Sequence, residues 1–146
     1  VPPLDLYSPK TPFYTHPRFL PGTKIDDCSV HHSVICEGSV VSGASISNSV
    51  VGIRSMIRAG TVIDRTIMMG ANRYEWEPSE EGAPLIGIGR NCTIRNAIID
   101  LDSSIGDGVQ LTNEAGHDEV IEDNFSIRGG VIVVPRGCTI PDGTVI

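Results

Sequence analysis

The residues of this 146-residue chain best equipped for chemistry are its arginines, its four histidines and its four cysteines. Most of the cations are Arg, whose guanidinium forks bidentately onto phosphate and keeps its charge at any working pH. Arg18 follows Thr15-His16-Pro17 in a proline-rich segment. Arg128 precedes Gly129-Gly130, where bare backbone lets a ligand approach closely. Arg54 falls at a corner of a repeat. Taken singly, each reads as a solvated surface charge. His31-His32 is the best nominal base or metal pair, but adjacent strand residues face opposite ways and cannot line one site. A solvated turn takes at least one of them. His117 falls in an acidic polar loop and is expected to face solvent.

No catalytic constellation stands out. G-x-S-x-G, H-E-x-x-H and the P-loop are all missing. Gly87-Ile88-Gly89 lacks the spacing of a dinucleotide fingerprint and reads as a repeat corner. Cys28, Cys36, Cys92 and Cys138 show no C-x-x-C spacing and sit beside aliphatic positions, so they are expected as buried, reduced thiols without a metal. A reducing compartment follows. The net charge of −7 argues against a nucleic-acid partner, which would need clustered Lys and Arg. No apolar run is long enough to cross a bilayer, and no signal peptide is recognisable.

The elements that must position these groups are written in an aliphatic residue that returns every five or six positions. Ile25, Val41 and Ile57 lie sixteen apart, as do Val30, Ile46 and Val62, and Ile35, Val51 and Ile67. Neither an α-helix nor an alternating strand gives that pattern. Three short strands per coil do, each pointing one aliphatic side chain toward a shared axis. The chain therefore reads as all-β, a single-stranded parallel β-helix of the hexapeptide-repeat type. Gly38, Gly43, Gly52, Gly60 and Gly70 fall where corners need positive φ.

Residues 1–24 form an irregular segment. Pro2, Pro3, Pro9, Pro12, Pro17 and Pro21 forbid a helix. Its Leu4, Tyr7, Phe13, Tyr14, Phe19 and Leu20 are expected to lie on the prism and cover its first coil. Residues 25–146 form the β-helix domain. Polar, acidic stretches at about 71–85, including Glu80-Glu81, and at 112–124 read as loops ejected from coil corners. Ile88, Ile94, Ile99, Ile105 and Leu111 resume the repeat, and Ile127, Ile132, Val134, Ile140 and Ile146 complete a final coil. The absence of an initiator Met and the apolar end Thr144-Val145-Ile146 read as cuts in a longer polypeptide.

Six segments carry a family resemblance. They are Thr11-Pro-Phe-Tyr-Thr-His-Pro-Arg-Phe-Leu-Pro21, Ser49-Val-Val-Gly-Ile-Arg-Ser55, Met68-Met-Gly-Ala-Asn-Arg-Tyr74, Ile86-Gly-Ile-Gly89, Ile98-Ile-Asp100 and Ile127-Arg-Gly-Gly-Val131. In this order they resemble the C-terminal domain of ADP-glucose pyrophosphorylase (glucose-1-phosphate adenylyltransferase), with variants closest to the plant large-subunit branch. The resemblance covers essentially the whole chain and implies a left-handed β-helix, a hand that the repeat alone does not give.

The resemblance implies a role beside catalysis rather than in it. The family makes ADP-glucose and pyrophosphate from ATP and glucose 1-phosphate, for starch or glycogen synthesis. It does so in an N-terminal nucleotide-binding domain, where magnesium also belongs. No cofactor is expected in this chain. The implied partners are that catalytic domain, the other subunits of a tetramer, and an anionic phosphorylated effector. Plastid stroma or bacterial cytoplasm is the implied location. His16 and Arg18 match the family's effector-contacting segment, and Arg128 matches a basic position associated with the activator. Leu101 departs from a Lys common after Ile-Ile-Asp, and Glu114 stands where a Lys is usual. Two other readings stay open: a trimeric acyltransferase using His31, His32 or His117 as a base, and a scaffold without an effector.

Overall fold

The computed structural model describes residues 5–78 and 81–146. Pro2, Pro3, Leu4 and Glu80, named above, lie outside the described residues. Every regular element among the described residues is a short strand. The first coil holds β1 (Lys24–Asp26), β2 (Ser29–His31) and β3 (Val34–Ile35), and the second β4 (Val40–Ser42), β5 (Ser45–Ser47) and β6 (Val50–Ile53). The third holds β7 (Met56–Ile57), β8 (Val62–Asp64) and β9 (Ile67–Gly70), and the fourth β10 (Gly87–Ile88), β11 (Thr93–Arg95) and β12 (Ala97–Ile99). Then follow β13 (Ser104–Ile105), β14 (Gln110–Leu111), β15 (Glu119–Ile121), β16 (Ser126–Arg128), β17 (Val131–Val134) and β18 (Thr139–Ile140).

Corresponding strands of successive coils pair in parallel, giving three sheets around one axis. The first runs β1-β4-β7-β10-β13-β18, the second β2-β5-β8-β11-β14, and the third β3-β6-β9-β12-β17. Each sheet stacks one aliphatic ladder inward. Val41, Ile57, Ile88, Ile105 and Ile140 form the first, Ile46, Ile63, Ile94 and Leu111 the second, and Val51, Met68, Ile99 and Val134 the third. None of these side chains is more than 3% exposed. A coil buries too little alone, and stacking makes the core continuous.

Two members of the predicted sixteen-residue ladder are corrected. The register pairs Ile46 with Ile63 and Val51 with Met68, a step of seventeen. The corner Arg58-Ala59-Gly60 holds one residue more than Ser42-Gly43, because Gly60 N–H bonds to the Gly43 carbonyl (2.9 Å). A slip of one residue turns a strand over, so Val62 and Ile67 point outward. In the first coil, Ile25 and Val30 stay exposed because no coil lies beneath them.

The corners are stacks of left-handed backbone. Asp27, Gly43, Gly60, Asn91, Gly108 and Gly143 form one stack, and His32, Asn48, Arg65, Asn96 and Asn113 another, all with positive φ. Asn and Asp tolerate this region through local hydrogen bonding, so Gly is not required everywhere. Gly52 is the exception to the corner reading. It lies within β6, and an added Cβ would come within 2.1 Å of the Met69 carbonyl oxygen.

Two further expectations change. The N-terminal segment does not cover the first coil: Tyr7, Tyr14 and Phe19 are 84–94% exposed, and only its end docks, with Pro21 accepting from Gly38 N–H (2.9 Å). Among the described residues, Pro9, Pro12, Pro17 and Pro21 lack the N–H a ladder needs, and 5–23 pair with no strand. The second ejected stretch is also not all loop. β15 and β16 form an antiparallel hairpin that continues the third sheet beyond β17, so Ile127 belongs to that hairpin rather than to a parallel coil. Ile127 is buried with Val120 and Phe125 packed against the core.

Candidate functional site

The arginines and histidines singled out above sit at separate places on the prism. His16 and Arg18 are exposed in the segment that precedes β1. Arg128 lies at the other end, on β16, where its guanidinium pairs with Glu119 across the hairpin. Five strand spacings of about 4.8 Å, roughly 24 Å, separate β3 from β16 in the third sheet. The chain therefore presents two basic positions, one near each end of the stack. Arg54 is a left-handed corner residue whose guanidinium reaches the Ala71 carbonyl (3.4 Å).

The histidines lack an acid partner among the described residues. His31 Nε2 shares a hydrogen bond with Ser29 Oγ (3.1 Å), and His32 occupies a corner. His117 is exposed, held through its backbone by the Asn113 side-chain amide. No group of three or more His, Cys, Asp or Glu is placed to hold a metal among the described residues. The four cysteines are free thiols, and Cys92 donates to the Gly106 carbonyl (3.1 Å). Burial pushes the Cys92 and Cys36 thiols up, so they resist ionisation and behave as small hydrophobes.

A polar cluster beside Leu101 was not foreseen. Asp102, a left-handed corner residue, accepts from Asn72 N–H (2.7 Å) and Asn72 Nδ2 (2.8 Å). Arg136 lies 3.5 Å from the same carboxylate. Burial raises the Asp102 pKa, but the Asn72 bonds and the arginines outweigh it and hold the carboxyl below its usual range. Glu75 pairs with Arg73 (3.6 Å) and accepts from Ile86 N–H (2.9 Å), closing the first ejected loop. Tyr74 donates to the Gly38 carbonyl (2.7 Å), strapping that loop back to the first coil, where Leu20 also meets Gly38. An open cleft of about 450 Å³ lies between Arg73, Glu75, Asp102, Ser104, Arg136 and Thr139. Its two exposed guanidiniums are each paired with a carboxylate of the same cleft, Arg73 with Glu75 and Arg136 with Asp102. Asn72 and Asp102 lie thirty residues apart and Asp102 and Arg136 thirty-four, so only the coil register brings these three together.

Leu101 is half-buried at this corner, and its carbonyl accepts from Gly137 N–H (2.9 Å). Glu114 lines an apolar cavity of about 390 Å³ at the last coil, with His117, Val120, Phe125, Ile127 and Ile146. No described helix is long and apolar enough to cross a membrane.

Known proteins resemble this chain along nearly its whole length. Residues 18–145 match the model of the GLGC left-handed parallel beta-helix domain. The large subunit 1 of glucose-1-phosphate adenylyltransferase, chloroplastic/amyloplastic, from Zea mays is 41% identical over 151 residues. That match takes in 97% of this chain and 29% of the relative, so the chain spans under a third of the relative's length.

Proposed function

Because this chain belongs to the GLGC left-handed parallel β-helix family, we propose that it is the regulatory and oligomerisation domain of a glucose-1-phosphate adenylyltransferase. The parent enzyme joins ATP and glucose 1-phosphate into ADP-glucose and pyrophosphate. Its nucleotide chemistry, with magnesium, belongs to another domain of the same polypeptide. The observation that carries this reading is the 41% identity to a plant large subunit across nearly the whole chain. The bare aromatic side chains of the N-terminal segment support it, since they need a second surface to bury against. The relative's plastid name supports a plastid location.

Regulation in this reading acts through an anionic phosphorylated effector. His16 and Arg18 contact it near the first coil and Arg128 near the last. Because these positions stand far apart, each contact is completed by groups of a neighbouring domain or subunit. A differential affinity for two domain arrangements then shifts the enzyme, with coupling of about 1–3 kcal/mol.

Titrating 3-phosphoglycerate into the full-length enzyme while following ADP-glucose formation tests the assignment. Leu101→Lys adds an ammonium beside the Asp102 corner. It is expected to lower the activator concentration at half effect about tenfold, the worth of one charge-assisted contact. Arg128→Ala is expected to raise it by a similar factor. If neither variant moves the titration, the effector assignment fails.

A further inference from the structure

Two arginines at the edge of the first sheet take no part in the sites described above. Arg58 follows β7, and Arg90 closely follows β10, the strand paired directly to it. The backbone ladder runs on past these strands. Arg58 N–H donates to the Ile88 carbonyl (3.1 Å), Gly89 N–H to Ile105 (2.8 Å) and Gly106 N–H to Ile140 (2.9 Å). Arg58, Gly89 and Gly106 therefore stack on successive rungs, and the two glycines leave bare backbone beside the Arg58 side chain. Segment 82–85 of the first ejected loop adds a wall, and an open cleft of about 250 Å³ results.

The cleft brings two cations and two carboxylates together. Arg58 is half-buried, with Nη1 reaching the Ile88 carbonyl (3.3 Å), and Arg90 is exposed. Neither guanidinium is paired with a carboxylate among the described residues, unlike Arg73 and Arg136 of the neighbouring cleft. Burial lowers the Arg58 pKa, Asp107 opposes that, and the like charge of Arg90 lowers it further. A guanidinium keeps its charge nonetheless, so this pair gains from an anion set between its members. Asp107 accepts from Arg90 N–H (2.7 Å) and Asp142 from Asp107 N–H (2.8 Å), each through Oδ1. Their Oδ2 atoms have no protein donor among the described residues. A Cβ at Gly89 or Gly106 would overlap those Oδ1 atoms, so the glycines make room for both carboxylates at the cleft.

We propose that this cleft binds a sugar phosphate, its phosphate between Arg58 and Arg90 and its hydroxyls donating to Asp107 and Asp142. Two guanidiniums match a dianion with several acceptor oxygens. Ionised carboxylates only accept, so the rest of the ligand must donate, as hydroxyls do. A second anionic group would meet Asp107 and Asp142, which disfavours 3-phosphoglycerate with its carboxylate. The volume lies below the ~300–1,000 Å³ of sites for drug-sized ligands, which suits a small metabolite. None of His16, Arg18 and Arg128 lines this cleft, so it is a separate site from the effector contacts proposed above.

The test modifies arginines of the full-length native polypeptide with phenylglyoxal and reads each position by peptide mapping. Glucose 6-phosphate, inorganic phosphate and 3-phosphoglycerate are the probes, and exposed Arg95 on the second sheet is the control. Glucose 6-phosphate is expected to slow modification of Arg58 and Arg90 severalfold and to leave Arg95 unchanged. Half-protection should come at about tenfold lower concentration than with inorganic phosphate, the worth of one hydrogen bond to a charged group. Asp142→Asn, which keeps an acceptor for Asp107 N–H, should erase most of that advantage while phosphate still protects. Absence of protection overturns the site, as does protection of Arg90 that survives Arg58→Gln. Equal protection by inorganic phosphate overturns the sugar half of the proposal. Stronger protection by 3-phosphoglycerate than by glucose 6-phosphate overturns the choice of ligand. Activation of ADP-glucose formation by 3-phosphoglycerate is a separate readout, so the two proposals can fail independently.

Discussion

Asp102 shows how one side chain can hold two distant parts of this chain in place. Its carboxylate takes both donors of Asn72 and faces Arg136, and its pKa is held down in the folded state. A depressed carboxylate contributes stability above its unfolded pKa of about 3.9, and that contribution is lost as pH falls through the lower folded value. Asp102→Asn is therefore expected to destabilise the domain by about 1.5–3 kcal/mol at neutral pH, the worth of hydrogen bonds to a charged group. The deficit should shrink as pH falls from about 4 through the lower folded value, over which the wild-type carboxyl protonates. Urea melts at pH 7 and pH 3 measure both. Gly52→Ala makes a different demand, since its Cβ would meet the Met69 carbonyl oxygen at 2.1 Å in backbone that cannot step aside. A loss of at least about 2 kcal/mol is expected in the same melts. Arg128 is held by Glu119, so Glu119→Gln should free it and sharpen activator affinity a fewfold in the full-length enzyme. An unchanged titration would mean that Arg128 does not meet the effector.

Between single residues and the whole prism stand the first ejected loop and the β15–β16 hairpin. Tyr74 ties that loop to Gly38, and Asn72 ties it to Asp102, so it spans from the first coil to the fourth. Tyr74→Phe removes one buried-end hydrogen bond and is expected to cost about 1 kcal/mol. Faster amide exchange at Gly38 and through 71–78 would register it, and unchanged exchange there would show that the strap does not hold the loop. The aliphatic repeat made the coils and the place of this loop legible, because a buried inward ladder leaves a period in the sequence. It misassigned Val62 and Ile67, since an extra corner residue shifts the register without breaking the aliphatic spacing: Val62-Ile63 and Ile67-Met68 offer two apolar residues in a row. The hairpin was not legible either. Ile127 packs inward whether its strand runs parallel or antiparallel, and strand direction leaves no mark on burial. The Asn72–Asp102–Arg136 cluster spans sixty-four residues of chain and exists only once the register is set.

The whole molecule is a prism with unfinished surfaces. Its core is closed by stacking, yet Ile25, Val30 and the aromatic N-terminal segment stand in solvent at one end, and an aliphatic column runs up one face. A domain that meets partners through several surfaces would be built this way, with charged groups at its edges. The polar cleft beside Leu101 and the basic positions near the two ends lie among these surfaces. The measurement that tests this account most directly follows ADP-glucose formation from ATP and glucose 1-phosphate by the native assembly containing this chain, as 3-phosphoglycerate is titrated in. A rate that rises with 3-phosphoglycerate is the predicted result. Absence of ADP-glucose formation, or a rate indifferent to 3-phosphoglycerate, would contradict it.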